Sequence, residues 1–303
     1  MINFILIFVC IIAGITMSQL KVLPADSHKS VNAWLIYVAL PALALRFVPD
    51  TEWNMKLLLP VLGPVLVWLG ACLFIRIYDW KKQLPHGSRT ALLIACGLGN
   101  TAFIGFPMVS AFYGESEIHH AVVFDQLTFI LFSTVGVIAI LKSSSGEAKK
   151  ISLQYIVRKI FRFPPFIACL LALILPCFFD ISSINPFLDK LVATMSPLAL
   201  FSIGLQLRLG EIRKEWRLIS AGMLYKLLLA PCLVMLLAFL IKSNGNMTKI
   251  SIFEAGMSSH ITASLLASQY KLNPSFSSLM VGASIVFGFI SSTCWYFVLQ
   301  YLF

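Results

Sequence analysis

Residues 97–114 read GLGNTAFIGFPMVSAFYG. They sit inside an apolar run, roughly Ser88 to Tyr113, that is long enough to cross a bilayer. Glycines at 97, 99 and 105, the pair Asn100-Thr101 and Pro107 fall where a spanning helix should be most regular. Glycine and proline release backbone hydrogen-bonding groups, and each one left unsatisfied in hydrocarbon costs several kcal/mol unless protein or a water-lined cavity meets it. A glycine-rich, polar break at membrane depth therefore marks a place where something polar binds.

The rest of the chain is built for the same solvent. Of 303 residues, 59% are hydrophobic and 12% charged, and mean hydropathy is +0.88; a soluble domain carries about 25% charge. Apolar runs of spanning length occur at 3–20, 31–48, 55–77, 89–112, 119–141, 164–179, 185–207, 217–241, 250–270 and 275–302. The expected fold is thus all-α, a polytopic membrane protein of ten transmembrane helices. The first run, which starts MINFILIFVCIIAG, lacks the positive flank of a cleaved signal peptide and reads as a retained helix.

The formal charge of +10 is not a nucleic-acid footprint. With ten spans starting outside, 17 Lys/Arg fall in inner connections against 5 in outer ones. Inner examples are Arg76, Lys81, Lys82, Arg89, Lys142 and Arg162; the outer ones are Arg46, Lys56, Lys190, Lys242 and Lys249. This is the positive-inside bias. It places both termini outside the cytoplasmic (inner) membrane and sets the basic residues against anionic lipid headgroups.

The connection Lys142–Arg162, KSSSGEAKKISLQYIVRKIFR, divides the chain nearly in half. Its start reads as a flexible linker. The continuation, with Ile151, Leu153, Tyr155, Ile156 and Ile160 among basic residues, reads as an amphipathic helix on the inner surface. The organisation is therefore residues 1–141 as a first five-helix repeat, 142–163 as a cytoplasmic linker and 164–303 as a second repeat.

Internal similarity supports that division. Pro41-Ala-Leu-Ala-Leu resembles Pro197-Leu-Ala-Leu, and a shift of 157 residues lays Gly99 on Gly256 and NTAFIG opposite MSSHIT. Five spans is an odd number, so the second copy is inverted. Inverted repeats whose broken helices meet near the midplane are a transporter layout. At 1.5 Å per residue, Asn100 and His260 each lie about 16 Å into spans four and nine. Pro41 and Pro197 lie similarly deep in their own spans.

The pattern GNTAFIGFPMVSAFYG, with NAWLIYVALPALAL before it and SPLALFSIGLQL and EAGMSSHITASLLASQYKLNPSFSS after it, resembles the auxin efflux carrier family. The resemblance implies ten helices in two inverted five-helix repeats, with broken helices 4 and 9 crossing at the substrate site. It also implies an elevator-like motion against a scaffold made largely of helices one, two, six and seven. Family members include plant auxin exporters and bacterial carriers of malate, malonate and similar acids. One departure is local. Where the family commonly has proline after the position of Met257, this chain has Ser258, Ser259 and His260.

Asn100 and Thr101 lead the substrate-binding candidates: an amide can coordinate a carboxylate or a cation, and the half-helix N-terminus after the break favours negative charge, the alternative being that Asn100 only caps the broken helix. Gly99, Gly105, Pro107, Pro41 and Pro197 shape the backbone there, and Met257, Ser258, Ser259 and His260 supply the second break. Ionisable residues inside spans are expensive and read as functional, so Asp125, Glu254 and Lys226 are ion-coupling candidates. Structural pairing, such as Lys226 with Glu254, is the competing explanation.

No H-E-x-x-H, G-x-S-x-G, Walker A or dinucleotide motif occurs, so the chain is not expected to be an enzyme or to need a cofactor. Seven scattered cysteines read as packing residues, and His119-His120 as a solvated pair rather than a metal site. The expected function is secondary transport of a small organic anion, coupled to protons or membrane potential in preference to sodium. The expected partners are that anion, the proton and membrane lipids; a homodimer is compatible with the sequence, and nucleic acid is not expected. The alternatives are a sodium-coupled symporter resembling bile-acid carriers and a non-transporting ligand sensor on the same scaffold.

Overall fold

A computed structural model describes residues 2–49, 57–144, 154, 161–162, 164–180, 182–206 and 212–303. Among these there is no β-strand. Helices are α1 (Ile2–Gln19), α2 (Ser27–Phe47), α3 (Leu58–Lys82), α4 (His86–Gly97), α5 (Thr101–Phe112) and α6 (Glu115–Ser143). They continue with α7 (Pro164–Cys177), α8 (Ser182–Gln206), α9 (Glu215–Leu240), α10 (Asn246–Ala255), α11 (Ile261–Gln269) and α12 (Pro274–Leu302).

Six of them, α2, α3, α6, α8, α9 and α12, are long and apolar enough to cross a membrane. The first and sixth apolar runs of the sequence fall on the shorter helices α1 and α7. The fourth and ninth fall on the interrupted pairs α4–α5 and α10–α11. Apart from Gln154, the amphipathic helix expected at 151–160 lies outside the described residues.

Prolines recur with a common device. Pro41, Pro107 and Pro231 each follow a wide π-helical turn, at Leu35–Ala39, Thr101–Gly105 and Leu224–Leu229. Proline removes one backbone donor and its ring collides with the carbonyl four residues earlier. A π-turn lets the helix continue past that collision. For Pro231 the displaced carbonyl is Leu227 O, and it accepts hydrogen bonds from Trp295 Nε1 at 2.9 Å and Ser291 Oγ at 3.0 Å on α12. The freed group thus stays satisfied inside protein.

The chain forms two compact units, each drawing on both halves of the sequence. Unit 1 gathers α1, α2, α5, the start of α6, α7 and α8. Here α1 lies along the second half of α8 at Gly14 and Gly204, where a Cβ on either glycine would overlap the facing backbone. Without a hydrophobic force between helices in lipid, such close approach provides the packing. Polar clasps join α8 to α2: Ser202 Oγ donates to Asn32 Oδ1 at 2.6 Å, and Trp34 Nε1 to Thr194 Oγ1 at 2.9 Å.

Unit 2 gathers α3, α4, the rest of α6 and α9–α12. Gly97 at the end of α4 presses on the Trp68 ring, and Tyr225 donates to Val67 O at 2.5 Å. Large apolar side chains stay exposed along α1 (Ile5, Phe8, Val9, Ile12), α3 (Leu69, Leu73, Ile77) and α12 (Ile290, Phe297). Bare faces of this extent are what a bilayer covers.

The α1–α8 approach generates a stability prediction. Gly204→Leu should destabilise the protein by about 1–3 kcal/mol through overpacking against the Ile11 carbonyl. Gly87→Ala, where a Cβ meets only ordinary contacts, should not. Thermal unfolding of the two purified variants in detergent measures the difference.

Candidate functional site

The site begins where two helices stop. α4 ends at Gly97, and Leu98 turns into extended backbone with φ −121° and ψ 127°. α10 ends at Ala255, and Gly256 opens a loop that runs to His260. The two unwound strips lie antiparallel, with Gly99 opposite Ser259. The Asn100 N–H donates to Ser258 O at 2.8 Å, and the His260 N–H donates to Leu98 O at 3.2 Å. Each break answers the backbone groups that the other has freed.

Side chains lock this exchange. Ser259 Oγ donates to Ala95 O at 2.9 Å, and the Ser259 N–H donates to Ser284 Oγ at 3.1 Å. Helix interruption here needs no proline after Met257. Serines that bind neighbouring helices replace the lost helical bonds. His260 caps α11, its Nδ1 accepting from the Ala263 N–H at 3.3 Å, and its ring stacks on Phe132 with centroids 5.2 Å apart.

Three ionisable residues of unit 2 surround the crossing. Thr101 Oγ1 donates to Asp125 Oδ1 at 2.5 Å, tying the first residue beyond the break to α6. Lys226 Nζ donates to Ala255 O at 2.9 Å, at the C-terminus of α10, where the helix dipole favours a cation. Its ammonium also lies against Gly99, where a Cβ would come within 3.0 Å of it. Glu254, fully buried, has both carboxylate oxygens without a hydrogen-bond partner among the described residues. No ion pair joins Lys226 to Glu254 among those residues, although each lies within electrostatic reach of the other.

Open polar atoms cluster here as well. Asn100 is 4% exposed, and its amide Nδ2 has no partner among the described residues. The hydroxyls of Ser258, Ser133 and Ser264 are likewise unpartnered. Buried polar groups in proteins are nearly always hydrogen-bonded, so such a cluster calls for an explanation.

Unit 2 therefore brings together Gly99, Asn100, Thr101, Asp125, Lys226, Glu254, Met257, Ser258, Ser259 and His260. Unit 1 holds Pro41, Gly105, Pro107 and Pro197. There Pro107 and Pro197 line a cavity of about 470 Å³ with Phe106 and Ser110. Arg46 and Asp189, paired at 2.7 Å, line the same cavity. Sequence reasoning missed the Thr101–Asp125 bond, the Lys226–Ala255 contact and the part played by Ser284 and Phe132. The intramembrane polarity of Asp125 and Lys226 was visible, but not which backbone atom or hydroxyl each would meet.

Interrupted helices that exchange backbone bonds beside buried charges, together with bare apolar helix faces, fit a multi-pass helical membrane protein. The chain belongs to the auxin efflux carrier family, whose model, described as "Membrane transport protein", matches residues 1–296. An uncharacterized transporter of Methanothermobacter thermautotrophicus is 25% identical over 299 residues, covering 97% of this chain and 96% of the relative. An uncharacterized transporter of Methanocaldococcus jannaschii is 23% identical over 310 residues, covering 97% of each.

The Thr101–Asp125 bond is open to test. Thr101→Val should cost about 1.5–3 kcal/mol by leaving a buried carboxylate without its donor, whereas Thr101→Ser should hold near wild type. Thermal unfolding of the three proteins in one detergent decides it.

Proposed function

We propose that this protein is a secondary carrier that moves a small organic anion, such as malate, malonate or an auxin-like acid, across the cytoplasmic membrane. The observation that carries this reading is the buried Asn100 amide, open at the crossing beside Lys226 and two half-helix starts. An unpaired amide donor, a buried ammonium and helix N-termini all favour a carboxylate. Thr101, Ser258, Ser259 and His260 form the surrounding polar wall, and Gly99 admits the ammonium. Binding without covalent chemistry suffices, so no catalytic residue and no cofactor is assigned.

Glu254 and Asp125 are the proposed proton carriers, since a carboxyl group without a charged partner can take up and release a proton as the site opens. Ten helices in two inverted repeats, 1–141 and 164–303, joined by 142–163, account for the antiparallel pairing of Gly99 with Ser259. The grouping of α1, α2, α7 and α8 in unit 1, which also takes α5 and the start of α6, motivates an elevator-like mechanism in which unit 2 carries the substrate. In this reading both termini face outward.

Uptake of labelled malonate, malate and an aromatic acid into proteoliposomes tests the function directly, with pH and sodium gradients imposed separately. We expect uptake driven by an imposed pH gradient; sodium dependence at fixed pH and potential would replace the proton assignment. Asn100→Ala should weaken substrate binding by about ten- to a hundred-fold, the worth of a hydrogen bond to a charged ligand. Thr293→Ala, an exposed hydroxyl on α12, should bind as wild type does. Wild-type affinity in well-folded Asn100→Ala would sink the crossing site. Binding without any uptake would favour the sensor alternative.

Orientation is tested on its own. Single cysteines placed near each terminus should react with a membrane-impermeant maleimide in intact cells, and one placed at Ser145 should react only after permeabilisation. A protected C-terminus would overturn the ten-span arrangement.

A further inference from the structure

A second cavity lies within unit 2, away from the crossing, at the joined ends of α3, α4 and α6. It is an open recess of about 310 Å³, with Arg76, His86, Arg89 and Lys142 exposed around it. Its polar side carries Arg76, His86, Arg89, Lys142 and Ser143. Its other side is apolar, with Ile75, Leu93 and Ala139. Three cations therefore meet over one small volume whose floor is greasy.

The acidic counterweight is small. Arg89 pairs with Asp79 at 3.3 Å, and Asp79 also accepts from the Leu84 N–H at 2.8 Å. Arg76 and Lys142 have no acidic partner among the described residues. His86 Nδ1 and Ser143 Oγ lie 2.7 Å apart, joining the start of α4 to the end of α6 and closing one wall. α4 begins there without a side-chain cap, so its positive end adds to the field.

We propose that this cavity binds the phosphate headgroup of an anionic phospholipid, with an acyl chain laid along the Ile75 and Leu93 floor. Two uncommitted cations and a helix N-terminus suit a phosphate. The apolar floor favours a molecule with a hydrocarbon end over a free ion. Basic pockets between transmembrane helices on the cytoplasmic side recognise such headgroups, and the orientation proposed above puts this end there. The site touches none of the residues assigned to the carried anion, so either proposal can fail without the other.

The test titrates phosphatidylglycerol, phosphatidylcholine or inorganic phosphate into delipidated full-length protein. Native mass spectrometry counts bound lipid, and melting temperature is followed in parallel. One phosphatidylglycerol should bind saturably and raise the melting temperature, and phosphatidylcholine should not. Arg76→Gln and Lys142→Gln should each weaken phosphatidylglycerol binding about tenfold or more, with Lys142→Arg restoring most of it. The pair Lys81→Gln and Lys82→Gln, basic and nearby but outside the cavity, should bind as wild type does. Equal binding by the cavity variants and wild type, or equal binding of phosphatidylcholine, would overturn the proposal. Inorganic phosphate that stabilises as well as the lipid, and loses its effect in the same variants, would reassign the site to a free anion.

Discussion

The structure depends on one exchange of hydrogen bonds, Asn100 N–H to Ser258 O and His260 N–H to Leu98 O. Two helices are interrupted where their backbone is buried, so the groups they release must find partners within the protein. Neither break is tolerable alone. Paired antiparallel, they become a short, closed piece of backbone from which two new helices start. Because main-chain atoms of the breaks are committed to each other, the polar atoms left open there belong to side chains, as with Asn100 Nδ2.

A related constraint acts on three of the prolines. Pro41, Pro107 and Pro231 would each kink or break a regular helix, but here each follows a π-turn and the helix continues. The cost of the wider turn is met by neighbours, as where Trp295 and Ser291 take up the Leu227 carbonyl.

The charges obey a related logic. Lys226, 1% exposed, settles on a helix C-terminal carbonyl rather than a carboxylate, and Asp125 takes a threonine hydroxyl. Glu254 has neither arrangement. A lysine held by a carbonyl is not neutralised, because a carbonyl carries no net charge. Had Lys226 and Glu254 formed a direct ion pair, both would be poorer partners for any ligand. Their separation by the α10 terminus keeps a cationic and an acidic group open within one crossing.

Much of this was written in the sequence. Apolar runs and the thin charge fraction are one-dimensional properties, so an all-helical membrane protein follows from them. Gly97, Gly99, Asn100 and Pro107 in one run announce a break, since no regular spanning helix accommodates them together. The second break was harder to see, because MSSHIT has no proline and serine is neutral about helix or loop. Ser259 bonds to Ala95 and Ser284 where it leaves the helix, and both lie far away in the chain. Likewise the sequence shows that Lys226 and Asp125 are buried cost, while tertiary structure decides that one meets a carbonyl and the other a hydroxyl. The division into two units, each drawn from both halves, was visible only in part through the family resemblance. Local propensity determines where a helix runs or stops. Which freed group meets which partner depends on contacts between residues remote in sequence, and those exist only once the chain is folded.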